Sequence, residues 1–558
     1  TSRLRHMASL RHRSRLDAPT HEYETLRITA MPRTIEAPTL KTWLSDNREI
    51  AVVDVREAGQ FGEAHLFFAI PAPYSRFEVS IGGLVPNLDV RLILCDGGDG
   101  VAERAAQRSV ALGYRNVHVL AGGVNSWRSA GYTLYAGVNV PSKTFGELVE
   151  HAQHTPRVSA QELQAMRDAG ENLVIVDGRT YAEFNRMSIP GGISCPNGEL
   201  PLRIGNIAPD PTTKIVVNCA GRTRSIIGAQ TLIDFGVPNP VFALENGTQG
   251  WFLAGLQLEN GASRKGSASI NSANVTTMKT RARSLAQSRD VEFIAASTVH
   301  TWLSDHSRTT YLLDVRTPEE FEAKSVQGFI HAPGGQLVQA TDHWVAVRGA
   351  RIVLIDDEMV RAPVTAGWLR QLGYEAFVLD GGVEAASGHS WQRPVIRQEW
   401  PAPKPITAQE LASAIADNAP NVIDLRPSMT FRKEHIAQAV WSTRARIAAA
   451  SADPAKPVVL VSDDTQVASL AALDLILAGF HDTRLLAGGH EDWRAAGLSM
   501  VATQHDPADA DCIDFLFFTH ARHDGNAAAA RQYLAWEIGL LDQLDDQERG
   551  AFNVSSKH

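Results

Sequence analysis

The sequence predicts an α/β protein of four repeated domains, each with a mostly parallel central sheet and helices on both faces. The first observation is an apolar run that ends in Asp-x-Arg and occurs four times, with its aspartates at Asp54, Asp177, Asp314 and Asp424. The second is that strand-like apolar runs alternate with helical stretches in each repeat. Because successive repeats lie a whole domain apart, they are longer than the units of a solenoid.

The elements follow one order in every repeat. After each Asp-x-Arg come a phenylalanine and a second apolar run, which predicts buried strands over 91–94, 215–217, 351–355 and 458–461. A helix follows, and then a short strand that ends in a glycine turn. Three of these turns precede a tryptophan (Trp127, Trp251 and Trp493), and we expect those side chains in the domain cores.

Composition and the repeat divide the chain into segments. We predict a basic disordered tail at 1–34 and a polar linker at 261–290. The four repeats are predicted at 35–137, 150–260, 291–393 and 404–502. The repeat pattern does not extend into the C-terminal appendage at 503–558, whose aromatic cluster we expect to pack on a neighbouring domain.

Composition, net charge and cysteine count exclude several classes of function. The chain has 558 residues, of which 44% are hydrophobic and 21% charged, and its net charge of -9 gives no sign of a nucleic-acid partner or an anionic membrane surface. No apolar run approaches the ~20 residues that span a bilayer. Four scattered cysteines form neither a disulfide framework nor a zinc-ligand cluster, so we expect no metal. We predict a soluble, cytoplasmic protein.

Cys219 is the strongest candidate for chemistry. It follows the apolar run at 215–217 and precedes a helical stretch, so it lies in a tight loop that opens into a helix N-terminus. The N–H groups and the dipole of such a terminus favour an anion. Arg222 and Arg224 add positive charge, which favours the thiolate, the nucleophilic form of cysteine. The whole loop reads Cys219, Ala220, Gly221, Arg222, Thr223, Arg224, Ser225.

The Asp-x-Arg strand end, the cysteine loop and the glycine–tryptophan ending together resemble the rhodanese family of sulfurtransferases, over most of residues 35–500. The resemblance implies that the Cys219 thiolate takes sulfane sulfur from a donor and passes it from a persulfide to a thiophilic acceptor. It implies thiosulfate as donor, and cyanide, a thiol or a protein as acceptor. Neither a metal nor an organic cofactor is expected, because the cysteine carries the sulfur.

The resemblance also suggests roles for the residues around Cys219. The loop N–H groups from Ala220 to Ser225 would hold the thiolate. Arg222 and Arg224 would bind the anionic end of the donor, although one of them could instead brace the loop through a carboxylate. Sequence does not decide between these two roles.

Three further residues are weaker candidates. Asp177 and Arg179 are expected to brace a loop rather than react, since Asp-x-Arg recurs in repeats without a cysteine at the loop. Arg186, from a neighbouring loop, could contact the donor or be a solvated surface arginine. Cys195 is expected to pack beside the loop, with a resolving role for the persulfide left open.

The loops of the other three repeats predict inactive domains. The first repeat has Cys95, but aspartates follow it and would disfavour its thiolate and repel an anionic donor. The third and fourth repeats have Asp356 and Ser462, which cannot carry a persulfide. A minor role for Cys95 as a redox group or sulfur relay stays open.

Two other functions remain possible. One is a carrier or binding scaffold that passes persulfide sulfur between proteins. The other is a phosphatase or arsenate reductase, whose longer loop closes with an arginine six residues after the cysteine. Here that position is Ser225 and Arg224 comes one residue earlier, while Asn218 precedes the cysteine, so sulfur transfer is favoured.

Overall fold

The computed structural model describes residues 32–266, 274–391, 400, 402–417, 420–451, 453–520 and 525–554. Within these residues the chain forms four sheets, one for each predicted repeat, in which neighbouring strands are parallel except at one inter-domain pair. Their central strands are almost entirely buried, which explains the continuous apolar runs in the sequence.

The second domain contains Cys219. Across its sheet the strands are ordered Arg157–Val158, Val241–Leu244, Lys214–Asn218, Leu173–Asp177, Ile193–Ser194. Its helices are Ala160–Asp168, Tyr181–Arg186, Leu200–Ile207, Thr223–Asp234 and Gly247–Leu253. The helix Tyr181–Arg186 begins with a capping box, in which Thr180 accepts from the Glu183 backbone and Glu183 accepts from the Thr180 backbone.

The first domain repeats this order and gains one strand from elsewhere. Its sheet is ordered Arg33–Ile35, Val117–Leu120, Arg91–Cys95, Ile50–Asp54, with Ile70–Pro71 and Val347–Arg348 both pairing with Ile50–Asp54. Its helices are Ala37–Trp43, Ala58–Glu63, Phe77–Leu84, Val101–Ala111 and Gly123–Ser129. The added strand Val347–Arg348 belongs to the third domain and runs antiparallel.

The third and fourth domains have the same sheet order. In the third the strands are Glu292–Ile294, Glu375–Leu379, Arg351–Ile355, Thr310–Asp314, Ile330–His331, and the helices are Ala296–Ser304, Pro318–Ala323, Gly334–Gln339, Arg361–Gln371 and Gly382–Ser387. In the fourth the strands are Lys404–Ile406, Thr483–Leu486, Val458–Val461, Asn421–Asp424, Val440–Trp441, and the helices are Ala408–Ala416, Ser428–Lys433, Ile447–Ala450, Thr465–Leu477 and Gly489–Ala495.

Besides the strand that the third domain adds to the sheet of the first, ion pairs join further domains. The second and third meet where Arg361 of the third domain forms an ion pair with Glu199 of the second, at 3.0 Å. The first and fourth meet where Arg444 of the fourth contacts Glu78 of the first at 2.5 Å. The second domain, which contains Cys219, therefore packs directly against the third.

Two predicted boundaries differ from the structure. The basic tail was predicted to extend to residue 34, but Arg33–Ile35 is an edge strand because it pairs in parallel with Val117–Leu120. The rest of that tail, 1–31, lies outside the described residues. The polar linker at 261–290 contains a helix, Val275–Gln287, whose small Ala282 and Ala286 are buried against the third domain.

Two helices outside the domains matter for the site. The connecting helix, Val140–Gln153, lies between the first and second domains and packs on the helix Thr223–Asp234. The tail helix, Ala527–Ile538, belongs to the appendage, together with the short helices Phe517–His520 and Asp546–Arg549. In the part of the chain that the structure describes, no helix has both the length and the apolar character needed to cross a membrane.

Candidate active site

Cys219 lies at the carboxyl end of a central strand, directly before the helix Thr223–Asp234. This is the edge of a parallel sheet at which active sites of α/β proteins form. The cysteine is 2% exposed, and its Sγ lies 3.4 Å from the Ser225 hydroxyl oxygen. Ser225 in turn donates to the Arg222 carbonyl at 2.8 Å, so the last residue of the loop folds back on it.

The glycine turn of the repeat supports the loop. The backbone N–H of Thr248 donates to the Cys219 carbonyl at 2.8 Å, and Gln249 donates to the Ala220 carbonyl through both its backbone and its side chain. Gly247 has a φ of +54°, and a Cβ there would lie 2.2 Å from the Cys219 carbonyl oxygen. A side chain at this position would displace the loop, which explains why the turn requires glycine.

Arg222 braces the loop against the connecting helix. Its Nε and Nη2 donate to the two carboxylate oxygens of Glu147 at 2.7 and 2.8 Å, and Nη2 also contacts Glu150. Burial works against the charge of Arg222, but the hydrogen bonds to Glu147 outweigh it and raise the pKa of Arg222. Of the two roles that the sequence left open, donor binding and bracing the loop through a carboxylate, Arg222 therefore has the second.

Arg224 also faces a carboxylate. Its two terminal nitrogens donate to both oxygens of Glu183 at 2.7 and 2.8 Å. Although burial raises the pKa of Glu183, the charge and hydrogen bonds of Arg224 lower it to about 2, so this glutamate is ionised at neutral pH. Arg224 also lines the cleft around Cys219, where its positive charge interacts electrostatically with the thiol.

Asp177 and Arg179 form a buried brace beneath the loop. Arg179 donates to both carboxylate oxygens of Asp177, at 2.9 and 2.7 Å, and to the Met187 carbonyl at 2.6 Å. Asp177 also accepts from the side chain of Asn218, the residue before Cys219, at 2.9 Å. The pair therefore fixes the strand end from which Cys219 leaves.

The same brace occurs in the other three domains. In each, the arginine bonds the aspartate of Asp-x-Arg and the carbonyl eight residues further along the chain, in the pairs Arg56 with Asp54, Arg316 with Asp314, and Arg426 with Asp424. This recurrence agrees with a structural role for Asp177 and Arg179. Arg186 is exposed at the end of its helix and does not line the cleft around Cys219, so the structure does not bring this candidate to the site.

Four separate parts of the chain enclose a cleft of about 310 Å³ beside Cys219. The second domain supplies the loop and Glu183, and the connecting helix supplies Lys143. The third domain and the appendage complete the wall with Gln336, Gln339, Ala340, His343, Trp344, Thr519, Tyr533 and Glu537. Among the described residues, no group of three or more His, Cys, Asp or Glu side chains could hold a metal ion.

Comparison with known proteins identifies the fold. The sequence profile of the rhodanese-like domain matches this chain at residues 36–130, 159–254, 296–389 and 407–496. The chain belongs to the rhodanese family. The predicted family and the predicted α/β fold of four repeated domains are thus confirmed.

Individual rhodanese relatives cover different shares of the chain. A crystal structure of a thiosulfate sulfurtransferase from Pseudomonas aeruginosa is 42% identical, with a TM-score of 0.86, over 94% of this chain and 100% of that one. Thiosulfate sulfurtransferase GlpE of Pseudomonas savastanoi pv. phaseolicola is 35% identical over 15% of this chain and 83% of that protein. An HTH-type transcriptional regulator of Mycobacterium tuberculosis is 32% identical over 19% of this chain, which spans 45% of the regulator's length.

The equivalent loops of the other rhodanese domains are closed by their own polar groups. In the third domain, the Asp356 carboxylate accepts from the backbone N–H groups of Val360 and Arg361, each at 3.0 Å. In the fourth, the Ser462 hydroxyl donates to the Asp464 carbonyl at 2.9 Å. Both side chains therefore cap their own loops.

The remaining cysteines are buried away from the cleft. Cys195 is 1% exposed, and burial raises the pKa of its thiol, with Glu199 adding to the effect. Cys512 lies in the appendage, and burial raises the pKa of its thiol as well. Neither thiol lines the cleft around Cys219, so the structure gives no support for Cys195 as a resolving thiol.

The sequence analysis did not identify the residues outside the loop that line the cleft or brace the loop. Glu183 carried a usable signal, because Thr180 and Glu183 have the spacing of a capping box and lie just after the Asp-x-Arg strand end. No sequence signal marked the other residues, because they lie in a connecting segment and an appendage without a recognisable pattern. These residues are Lys143, Glu147, Tyr533 and Glu537.

Proposed function

We propose that this protein is a thiosulfate sulfurtransferase that carries sulfur as a persulfide on Cys219. The observation that carries the proposal is the 42% identity to a thiosulfate sulfurtransferase over 94% of the chain. The position of Cys219 at a strand end, before a helix and beside Arg224, supports it with chemistry suited to a thiolate nucleophile.

In the first step the Cys219 thiolate attacks the outer, sulfane sulfur of thiosulfate. A new sulfur–sulfur bond forms to the cysteine, the original sulfur–sulfur bond of the donor breaks, and its electron pair leaves with sulfite. The products are a cysteine persulfide anion and sulfite, so atoms and charge balance without a metal or a redox partner. Arg224 lines the cleft beside Cys219, and its positive charge would stabilise the negative charge that builds up on the sulfur.

In the second step a thiophilic acceptor attacks the outer sulfur of the persulfide. With cyanide the products are thiocyanate and the Cys219 thiolate, which is ready for another cycle. Because the enzyme is modified between the two half-reactions, the kinetics are of the ping-pong type. We propose a small thiol as the cellular acceptor, since the cleft of about 310 Å³ admits small molecules and Cys219 is only 2% exposed.

Arg222 contributes to the reaction indirectly, through the shape of the loop. Its bonds to Glu147 and Glu150 tie the loop to the connecting helix and neutralise its charge, so it shapes the loop that surrounds the thiol. We also propose a reducing compartment, the cytoplasm, because Cys219 must remain a free thiol to act and the cysteines of the chain are free.

Steady-state kinetics test this function. Full-length protein with thiosulfate and cyanide should form thiocyanate and sulfite in equal amounts, with the parallel double-reciprocal lines of a ping-pong reaction. Lines that intersect would argue against a persulfide intermediate. Very slow thiocyanate formation together with rapid persulfide exchange to another protein would instead favour the sulfur-carrier function.

A further inference from the structure

The second and third domains meet through equivalent segments. The segment at 196–200 in the second domain and the segment at 333–337 in the third both read Pro-x-Gly-x-Leu, and each follows the edge strand of its sheet. A Cβ on Gly198 would lie 2.8 Å from the backbone nitrogen of Gly335, and a Cβ on Gly335 would lie 2.9 Å from that of Gly198. Because each segment approaches the other with the same residue, the two domains are related by an approximate two-fold axis at this contact.

The loop arginines of these two domains are equivalent about this axis. Arg224 of the second domain donates to both carboxylate oxygens of Glu183, which lies shortly after the Asp-x-Arg strand end. Arg361 of the third domain donates to Glu320, the glutamate at the equivalent place, at 2.8 Å. Within its own domain, each arginine therefore has the same carboxylate partner.

Across the interface the two arginines face different residues. The Nε of Arg361 lies 3.0 Å from Oε1 of Glu199, in the segment of the second domain. At the equivalent place in its own segment the third domain has Gln336, which lines the cleft around Cys219 together with Arg224. The interface thus supplies a carboxylate to the arginine of the third domain and a neutral amide to the cleft of the second.

A second difference leaves room on the side of the cleft. Glu199 also forms an ion pair with Arg203, one helical turn further along, at 2.7 Å. The residue equivalent to Arg203 in the third domain is Ala340, which lines the cleft around Cys219. A charged pair of long side chains in one half of the interface is therefore replaced by the uncharged Gln336 and the small Ala340 in the other half, where the cleft of about 310 Å³ lies.

We propose that the Gln336 amide donates a hydrogen bond to an oxygen atom at the anionic end of the sulfur donor, and that its lack of charge lets this cleft accept a dianion. The proposal rests on the proposed function, because the donor must enter this cleft to reach Cys219. An amide N–H binds a sulfonate oxygen, whereas a carboxylate at the same place would repel the donor and compete for Arg224. The third domain thereby supplies a specificity-determining residue to the site of the second.

Two donors of different charge test the role of Gln336. Thiosulfate is a dianion, whereas methanethiosulfonate is a monoanion that transfers the same outer sulfur and releases methanesulfinate. In full-length Gln336→Glu we expect kcat/KM to fall ~50-fold for thiosulfate and only ~5-fold for methanethiosulfonate, because repulsion by the new carboxylate grows with the charge of the donor. In a ping-pong reaction kcat/KM for the donor reports the first half-reaction alone, so the acceptor does not affect the comparison.

A neutral variant separates the hydrogen bond from the charge. Gln336→Met keeps a side chain of similar length without the amide and without a charge. We expect kcat/KM to fall ~5-fold for both donors, since each loses one hydrogen bond of the same kind. A loss for thiosulfate as large as that of Gln336→Glu would contradict the selection by charge.

The matched control exchanges charge at the equivalent place across the axis. Glu199→Gln removes a carboxylate from Arg361 and leaves the lining of the cleft around Cys219 unchanged. Its melting temperature should fall, because the buried Arg361 loses an ionic partner, while kcat/KM for thiosulfate should stay within ~3-fold of wild type. A loss of kcat/KM comparable to that of Gln336→Glu would assign both effects to a disturbed interface and overturn the proposal.

The outcomes separate this proposal from the proposed function. Persulfide formation on the wild-type protein is measured first by intact mass, and its absence would overturn the sulfurtransferase function itself. If wild type forms the persulfide but Gln336→Glu leaves kcat/KM for thiosulfate unchanged, or lowers it equally for both donors, the role of Gln336 is overturned alone. We expect Gln336→Glu and Gln336→Met to melt at the temperature of wild type, which excludes loss of fold as the cause.

Discussion

The first and second rhodanese domains place a cysteine at the same strand end of the same fold, but the surroundings of the two thiols differ. Cys219 is followed by a loop with two arginines. Cys95 is followed by Asp96, whose carboxylate accepts from the backbone of Gly98 and Ala102 at 2.8 and 3.0 Å. Burial raises the pKa of Cys95 well above its usual value, Asp54 and Asp96 add to this rise, and Arg56 opposes it.

We infer from this difference that the loop, rather than the fold, decides whether a domain can react. Both domains keep the buried Asp-x-Arg brace and a glycine turn that supports the loop. In the first domain Asp96 takes the N–H groups that an anionic donor or thiolate would need, and it brings negative charge. In the second domain Arg224 lines the cleft beside the thiol and brings positive charge.

The largest expected effect comes from exchanging each thiol for a hydroxyl. Cys219→Ser should lower thiocyanate formation at least ~1,000-fold, because the serine hydroxyl cannot accept sulfane sulfur. Cys95→Ser is the matched control and should stay within ~2-fold of wild type. A comparable loss in both variants would show that the first domain takes part in transfer.

Arg224 and Arg361 provide the next test, since they occupy equivalent positions in the second and third domains. Arg224→Met should lower kcat/KM for thiosulfate ~100-fold through loss of the charge near the thiol. Arg361→Met also breaks ion pairs, with Glu199 and Glu320, but in a domain with Asp356 in place of the cysteine. We expect its kcat/KM to remain within ~3-fold of wild type, and an equal loss would assign the effect of Arg224 to general destabilisation.

The braces of the second and fourth domains should affect stability alike and activity differently. Arg179→Met and Arg426→Met each leave a buried aspartate without its partner, which costs ~3–5 kcal/mol of folding free energy. Only Arg179→Met should also lower kcat, since Asp177 holds Asn218 next to Cys219. Calorimetry and thiocyanate assays measure both effects, and full activity in Arg179→Met would contradict the link from brace to loop.

A smaller effect concerns Glu57, which stands in the first domain where the second has Thr180. Burial raises the pKa of Glu57 to about 7, against opposing hydrogen bonds from Ser75. Because this folded-state pKa exceeds the ordinary value of 4.5, the stability present at low pH is lost as pH rises through about 7. Between about pH 5 and about pH 8, the melting temperature of wild type should fall further than that of Glu57→Gln. Parallel curves for the two proteins would contradict the buried, neutral Glu57.

Much of this organisation could be predicted from sequence because it repeats. Three features recur four times, and each has a local physical cause. The Asp-x-Arg strand ends form buried braces, and the second strands are buried in the sheets. The glycine turns lie too close to a carbonyl to leave room for a Cβ. The cysteine loop was recognisable for the same reason, since strand, loop and helix are consecutive in the chain.

The parts that could not be predicted depend on contacts between distant segments. The sequence left open which of the two loop arginines binds the donor and which braces the loop, because the partners of Arg222, Glu147 and Glu150, lie on a helix about 70 residues earlier in the chain. Tyr533 and Glu537 belong to an appendage with no repeat, so nothing local marked them as neighbours of Thr223. The helix Val275–Gln287 was concealed by a polar composition, because only one narrow face of it is buried.

The most direct test of the account is the intact mass of full-length protein after brief exposure to thiosulfate, for wild type, Cys219→Ser and Cys95→Ser. We expect wild type and Cys95→Ser to gain one sulfur atom and Cys219→Ser to gain none. A gain in Cys219→Ser, or its loss in Cys95→Ser, would contradict the claim that the second domain alone carries the sulfur.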